Sequence, residues 1–151
     1  MKNHESNMKN LGITIVGIIA LGGLLWWAGG IGSGGEDVVA KQGLHWHPTL
    51  TIYSDEIKQD IPANVGLVGG HYPMHTHVED VADGVLHLEF GETVRTEDLL
   101  LTNFFDIWGK DIATAFGALI EMRVNGEVVG DYTSYIIGEN DAIELFYSSE
   151  E

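Results

Sequence analysis

Apolar and polar positions divide the chain into one unbroken apolar run followed by segments that alternate. Residues 11–31, LGITIVGIIALGGLLWWAGGI, carry no charge. As a helix rising about 1.5 Å per residue, this stretch reaches about 31 Å, enough to cross a bilayer. Trp26 and Trp27 sit near one end, where interfacial aromatics belong. A cleaved signal peptide is the main competing reading, but Trp26 would occupy the −3 position before Ala28, a poor small-x-small cleavage site. Glycines at 12, 17, 22 and 23 permit close contact with another helix.

Beyond the apolar run the period changes to two. Read as one strand, residues 44–53 (LHWHPTLTIY) place Trp46, Leu50 and Ile52 on one face and His45, His47, Thr49 and Thr51 on the other. Ser54-Asp55-Glu56 turns the chain, and residues 57–61 return as the second strand of a hairpin. Residues 65–76 (VGLVGGHYPMHT) form a loop by their Gly-Gly pair and Pro73, and the acidic VEDVADG at 78–84 forms a turn. GVLHLEF at 84–90 is again a strand, with Leu86, Leu88 and Phe90 opposite Val85, His87 and Glu89.

A helix is expected in TEDLLLTNFFDIWGKD. Thr96 is a candidate N-cap and Leu100, Phe104 and Trp108 recur at helical spacing; alternatively Thr102 caps a shorter helix ending at Gly109. Phe104, Phe105, Ile107 and Trp108 are core candidates. Residues 119–129 make a hairpin around Asn125-Gly126, a type I′ turn, and 142–147 a final strand. No pattern assigns 111–117.

These elements predict an α+β protein: an N-terminal transmembrane helix, then one small mixed-sheet domain with one packed helix. The closing hairpin, turn and central-looking strand are reminiscent of a β-grasp, a likeness of fold that says little of function. The expected organisation is a cytoplasmic N-terminus at 1–10, an anchor at 11–31, a linker at 32–43 and a histidine-rich domain at 44–148.

Charge adds an orientation. From Glu36 onward there are 22 Asp and Glu against 5 Lys and Arg, whereas Lys2 and Lys9 precede the apolar run. The positive-inside rule then places the N-terminus in the cytoplasm and the acidic domain outside. Such a surface repels nucleic acid and anionic lipid and concentrates cations. The chain has no cysteine. That excludes disulfides, iron–sulfur clusters, thiolate zinc sites, blue copper and covalently attached haem.

The histidines carry the candidate chemistry. Of seven, six lie at 45, 47, 71, 75, 77 and 87, four of them in His-x-His pairs. Residues two apart on a strand share a face, so His45, His47 and His87 converge if their strands are neighbours. His75 and His77 would complete the set from the loop. Neutral imidazole is the commonest protein ligand for zinc and copper, and a set without thiolate suits copper(II) or zinc. Met74 beside His75 hints at copper through its thioether, although such a methionine more often packs. Glu79, Asp80 and Asp83 are either oxygen ligands or solvated.

Three functions compete on these residues. The first is a membrane-anchored, extracytoplasmic copper- or zinc-binding protein with His45, His47, His75, His77 and His87 as ligands. The second is a metal-dependent hydrolase with Glu89 as general base, although HExxH, a nucleophile elbow and a Walker loop are all missing from the sequence. The third is an acidic envelope interaction module whose histidines build a polar core or respond to pH.

The combined pattern HWHPTLTIY…IPANVGL…MHTH…GVLHLEF…FFDIWGK…VNGE resembles a family of single-span bacterial and archaeal membrane proteins. The resemblance spans about residues 44–147. It implies a membrane anchor and the same set, His45, His47, His75, His77 and His87, with His71 peripheral, and it supplies no activity.

Overall fold

The computed structural model describes residues 37–149. The anchor expected at 11–31 and the charges that orient it lie outside them. Among the described residues no helix is long and apolar enough to cross a membrane.

The described residues begin with strand β1 (Val38–Ala40), followed by β2 (Leu44–Trp46), β3 (Thr49–Ser54), β4 (Ile57–Gln59) and β5 (Met74–His75). A 3-10 turn (Val81–Asp83) leads to β6 (His87–Phe90) and β7 (Val94–Arg95). A second 3-10 turn (Thr96–Leu99) precedes helix α1 (Leu101–Trp108), and β8 (Ala118–Val124), β9 (Glu127–Val128) and β10 (Ala142–Ser148) complete the domain. The class is α+β, with one α-helix among the described residues, as the periodicities predict. The single mixed sheet expected is instead three sheets: a mixed sheet in the order β4-β3-β10-β8-β9, a three-stranded sheet β2-β6-β5, and the pair β1-β7.

One residue divides the first two sheets. The strand read as continuous over 44–53 is broken at His47-Pro48 into β2 and β3. Proline has no N–H to give a ladder. Its carbonyl accepts from Leu86 N–H at 2.9 Å, and the chain then crosses to the other sheet. There β3 runs parallel to β10, with Leu50 beside Ile143 and Ile52 beside Leu145. On its other side β10 runs antiparallel to β8, with Met122 against Leu145 and Val124 against Ile143. The inward residues of these three strands are buried. Each large apolar side chain so buried contributes about 1.5–3 kcal/mol. On the outer face Phe146 stacks on Tyr53 at 5.2 Å and lies under the Arg123 guanidinium, and all three are half-buried.

The helix is the shorter of the two expected, ending at Gly109, although Leu100 and not Thr102 stands at its N-cap. Leu100 is extended (φ −64°, ψ 134°) and forms a β-bridge with Ile136, so the 3-10 turn and α1 are separate. Asp98 accepts from the Arg95 N–H at 2.8 Å at the start of the 3-10 turn. Gly109 ends α1 in the left-handed region, its N–H reaching the Phe105 and Asp106 carbonyls. Leu101, Phe104 and Phe105 are fully buried, and α1 packs against β5. Asn125 and Gly126, at φ 53° and 84°, make the expected tight turn between β8 and β9.

Part of the stretch read as linker, Val38–Ala40, is strand β1. It pairs with β7, and Thr96 N–H donates to the Asp37 carbonyl at 2.7 Å.

Candidate metal centre

The three-stranded sheet carries the site. Its middle strand, β6, holds His87 and Glu89. The flanking strands align the other histidines against them: His45 lies directly opposite Glu89 on β2, and His75 directly opposite His87 on β5. His47 and His77 follow two residues after His45 and His75 and fall on the same face. Leu44, Leu88 and Met74 point the other way into the core. Met74 therefore packs, and the hint of a thioether ligand is corrected: strand alternation turns its sulfur away from the histidines.

Local backbone explains why β5 sits where it does. Asn64 N–H donates to the Thr76 carbonyl, and Thr76 N–H donates to the Val65 carbonyl. The buried Thr76 hydroxyl donates to the Pro62 carbonyl at 2.8 Å and accepts from Val65 N–H at 3.1 Å. Gly66, at φ 76°, lies so close that a Cβ there would stand 2.5 Å from the Met74 carbonyl oxygen. The histidine loop is thus pinned to the sheet at both ends of β5.

The six histidine rings form one continuous series. Ring centroids are 4.6 Å apart for His45–His47, 4.7 Å for His47–His87, 4.4 Å for His77–His87, 4.8 Å for His75–His77 and 4.7 Å for His71–His75. Two sets of side chains bring ligand atoms within 4.8 Å of one another and could hold a metal ion: His45, His47, His87 and Glu89, and His75, His77, His87 and Glu89. All five histidines singled out from the sequence belong to one or other set. His71 belongs to neither and is exposed.

Hydrogen bonding decides which nitrogens are free. His75 Nδ1 lies 3.0 Å from the Tyr72 carbonyl, which can only accept, so Nδ1 carries the proton and Nε2 presents its lone pair. That Nε2 faces His77 Nε2 at 3.1 Å. Burial holds the His75 imidazole below its ordinary pKa; the Tyr72 carbonyl and Glu89 carboxylate oppose this, and His71 and His77 reinforce it. Burial thus favours the neutral form of His75, the form that a metal requires.

His87 is set in the same way. Its Nε2 donates to Asp80 Oδ2 at 2.8 Å, leaving Nδ1 as the lone-pair nitrogen. The His87 side chain is only 11% exposed, and Nδ1 is buried with no hydrogen-bond partner. Glu89 Oε1 stands 3.7 Å from it and also 3.0 Å from His45 Nε2. A buried unpaired polar atom costs about 1–3 kcal/mol unless something fills its place. A carboxylate holding the far nitrogen of a histidine is the usual outer support of a metal-bound imidazole.

Two contributors escaped the sequence reading in these roles. Glu89 was assigned as a possible base and stands in both ligand sets. Asp80, read among three ambiguous acids, is the one that orients His87, whereas Glu79 and Asp83 are exposed. Histidine and glutamate groups are thus positioned to hold a metal ion. Comparison with protein-family models, with curated proteins and with solved structures finds no match.

Proposed function

We propose that the protein is a membrane-anchored, extracytoplasmic metal-binding protein for copper or zinc, with His45, His47, His75, His77, His87 and Glu89 as the ligand pool. The observation that carries this reading is the buried Nδ1 of His87, which has no hydrogen-bond partner and lies 3.7 Å from the Glu89 carboxylate while Asp80 holds Nε2. A histidine cluster serving only as a polar core would satisfy that atom. Imidazole and carboxylate donors without thiolate suit copper(II) or zinc.

The anchored, outward-facing placement rests on the apolar run at 11–31 and the lysines before it. It agrees with the resemblance to single-span bacterial and archaeal proteins, and membership of that family is part of the proposal. We read the mixed sheet as a β-grasp. Its hairpin β3-β4, helix α1, hairpin β8-β9 and central β10 parallel to β3 follow that order. Glu89 lies among the ligands, a poor place for the free general base of a hydrolase.

The test is metal analysis of the full-length chain, purified in detergent without a polyhistidine tag. Near-stoichiometric copper or zinc, lost in His87→Ala, is expected. No bound metal, and no affinity for either ion tighter than about 10 µM (about 7 kcal/mol), would refute the reading.

A further inference from the structure

The two ligand sets share His87 and Glu89 because both lie on the middle strand, β6, and they differ in the His-x-His pair added from each side. The pairs have opposite surroundings. His45 and His47 are exposed, with the His45 side chain 61% accessible. His75 is fully buried and His77 half-buried. His87 has only one nitrogen to offer, since Asp80 holds Nε2. Two dications would therefore compete for Nδ1, with Glu89 the sole anionic ligand between them.

On the reading that this cluster binds metal, we propose that the two sets are alternative seats for a single ion. His45 and His47 form an outer seat that receives and surrenders it, and His75 and His77 form an inner seat that retains it. Glu89 and His87 serve both seats. Glu89 stands opposite His45 across the β2-β6 ladder, and His87 opposite His75 across β6-β5. Passage from one seat to the other exchanges two neutral imidazoles for two others, so it changes neither the charge of the ligand set nor the oxidation state of the metal. In the inner seat the Tyr72 carbonyl fixes the tautomer of His75 before the ion arrives, and an ion would replace the hydrogen bond between His75 Nε2 and His77 Nε2. The outer seat is made of solvent-exposed side chains, which suit exchange.

Zinc is the probe, with the full-length protein in detergent and a chromophoric chelator as competitor. The wild type should saturate at one zinc per chain. His45→Ala/His47→Ala should still hold one zinc but trade it with the chelator about tenfold or more slowly. His75→Ala/His77→Ala should hold zinc about tenfold or more weakly and release it faster. The deciding comparison is wild type against the outer-pair variant, whose lost side chains are exposed and whose fold is checked by its far-UV circular dichroism. Two zinc ions per wild-type chain, equal exchange rates in the two proteins, or loss of all zinc from the outer-pair variant would overturn the two-seat arrangement while leaving metal binding intact. Absence of both zinc and copper binding in the wild type would instead remove the metal reading itself.

Discussion

Asp80 accepts a hydrogen bond from His87 Nε2 at 2.8 Å, and that bond makes His87 Nδ1 a buried lone pair facing Glu89. The carboxylate fixes the ring's tautomer and orientation. Asp80→Ala should therefore weaken zinc and copper binding about 10–100-fold although Asp80 is no ligand itself. Competition with a chromophoric chelator measures this. An unchanged affinity in a variant that melts like the wild type would show that Asp80 does not tune His87 as a ligand.

Gly66 supports the same site from beneath. Its φ of 76° is open to glycine at no steric penalty, and an added Cβ would meet the Met74 carbonyl oxygen at 2.5 Å and His75 Cβ at 3.1 Å. Gly66→Ala must push β5 away or bend the loop. Strain of this kind is worth about 1–3 kcal/mol. The variant should unfold at lower denaturant and also bind metal more weakly, because the displaced strand carries His75. Loss of stability with unchanged metal affinity would show that the loop yields and β5 does not.

How far the sequence discloses this arrangement depends on how local each signal is. The Asn125-Gly126 hairpin and the alternation of Ile143, Leu145 and Tyr147 are legible because neighbours a few residues apart specify them. The start of α1 is not, because Leu100 is held extended by a bridge to Ile136, a partner far along the chain. Alternation runs unchanged through Pro48, so it identifies the histidine face but not the switch of sheets there. It likewise cannot supply the register that sets His45 against Glu89 and His75 against His87. Asp80 is hidden among three acids. Only the reversal of the chain through the 3-10 turn at Val81–Asp83 brings it, and neither Glu79 nor Asp83, to His87. Strands of two or three residues such as β1 and β7 leave no periodic trace at all.

Leu88 backs the site from the core side. It is fully buried on β6, between Trp46 on one neighbour and Met74 on the other, with His87 and Glu89 beside it in sequence. Leu88→Ala should cost about 2–5 kcal/mol by lost burial and the cavity left behind. Zinc at about 100 times its dissociation constant should return about 2.7 kcal/mol, since it binds only the folded chain. Urea unfolding with and without zinc measures both effects. The same rescue must be absent in His87→Ala, and a rescue persisting there would place the ion elsewhere.

Far from the histidines, Asp55 ties the turn between β3 and β4 to the end of β10. Its carboxylate accepts from the Ser149 hydroxyl and, at 3.1 Å, from the Ser149 N–H. The hydroxyl bond chiefly, then the backbone bond, hold the Asp55 pKa below its ordinary value against a small opposing effect of burial. The folded state therefore keeps this carboxylate ionised at a pH where the unfolded chain has taken up a proton. The contribution is complete above the ordinary carboxylate value and fades as pH falls through the lower, folded value. Asp55→Asn is the suitable comparison, because asparagine tolerates the left-handed φ of 49° and keeps an acceptor but loses the charge. The variant should melt below the wild type at pH 6, and the gap should close as pH falls below about 4. Protonation of the histidines is common to both proteins and cancels in the difference. A gap that stays constant from pH 6 to pH 3 would mean that the hydrogen-bond geometry, and not the charge, secures Ser149.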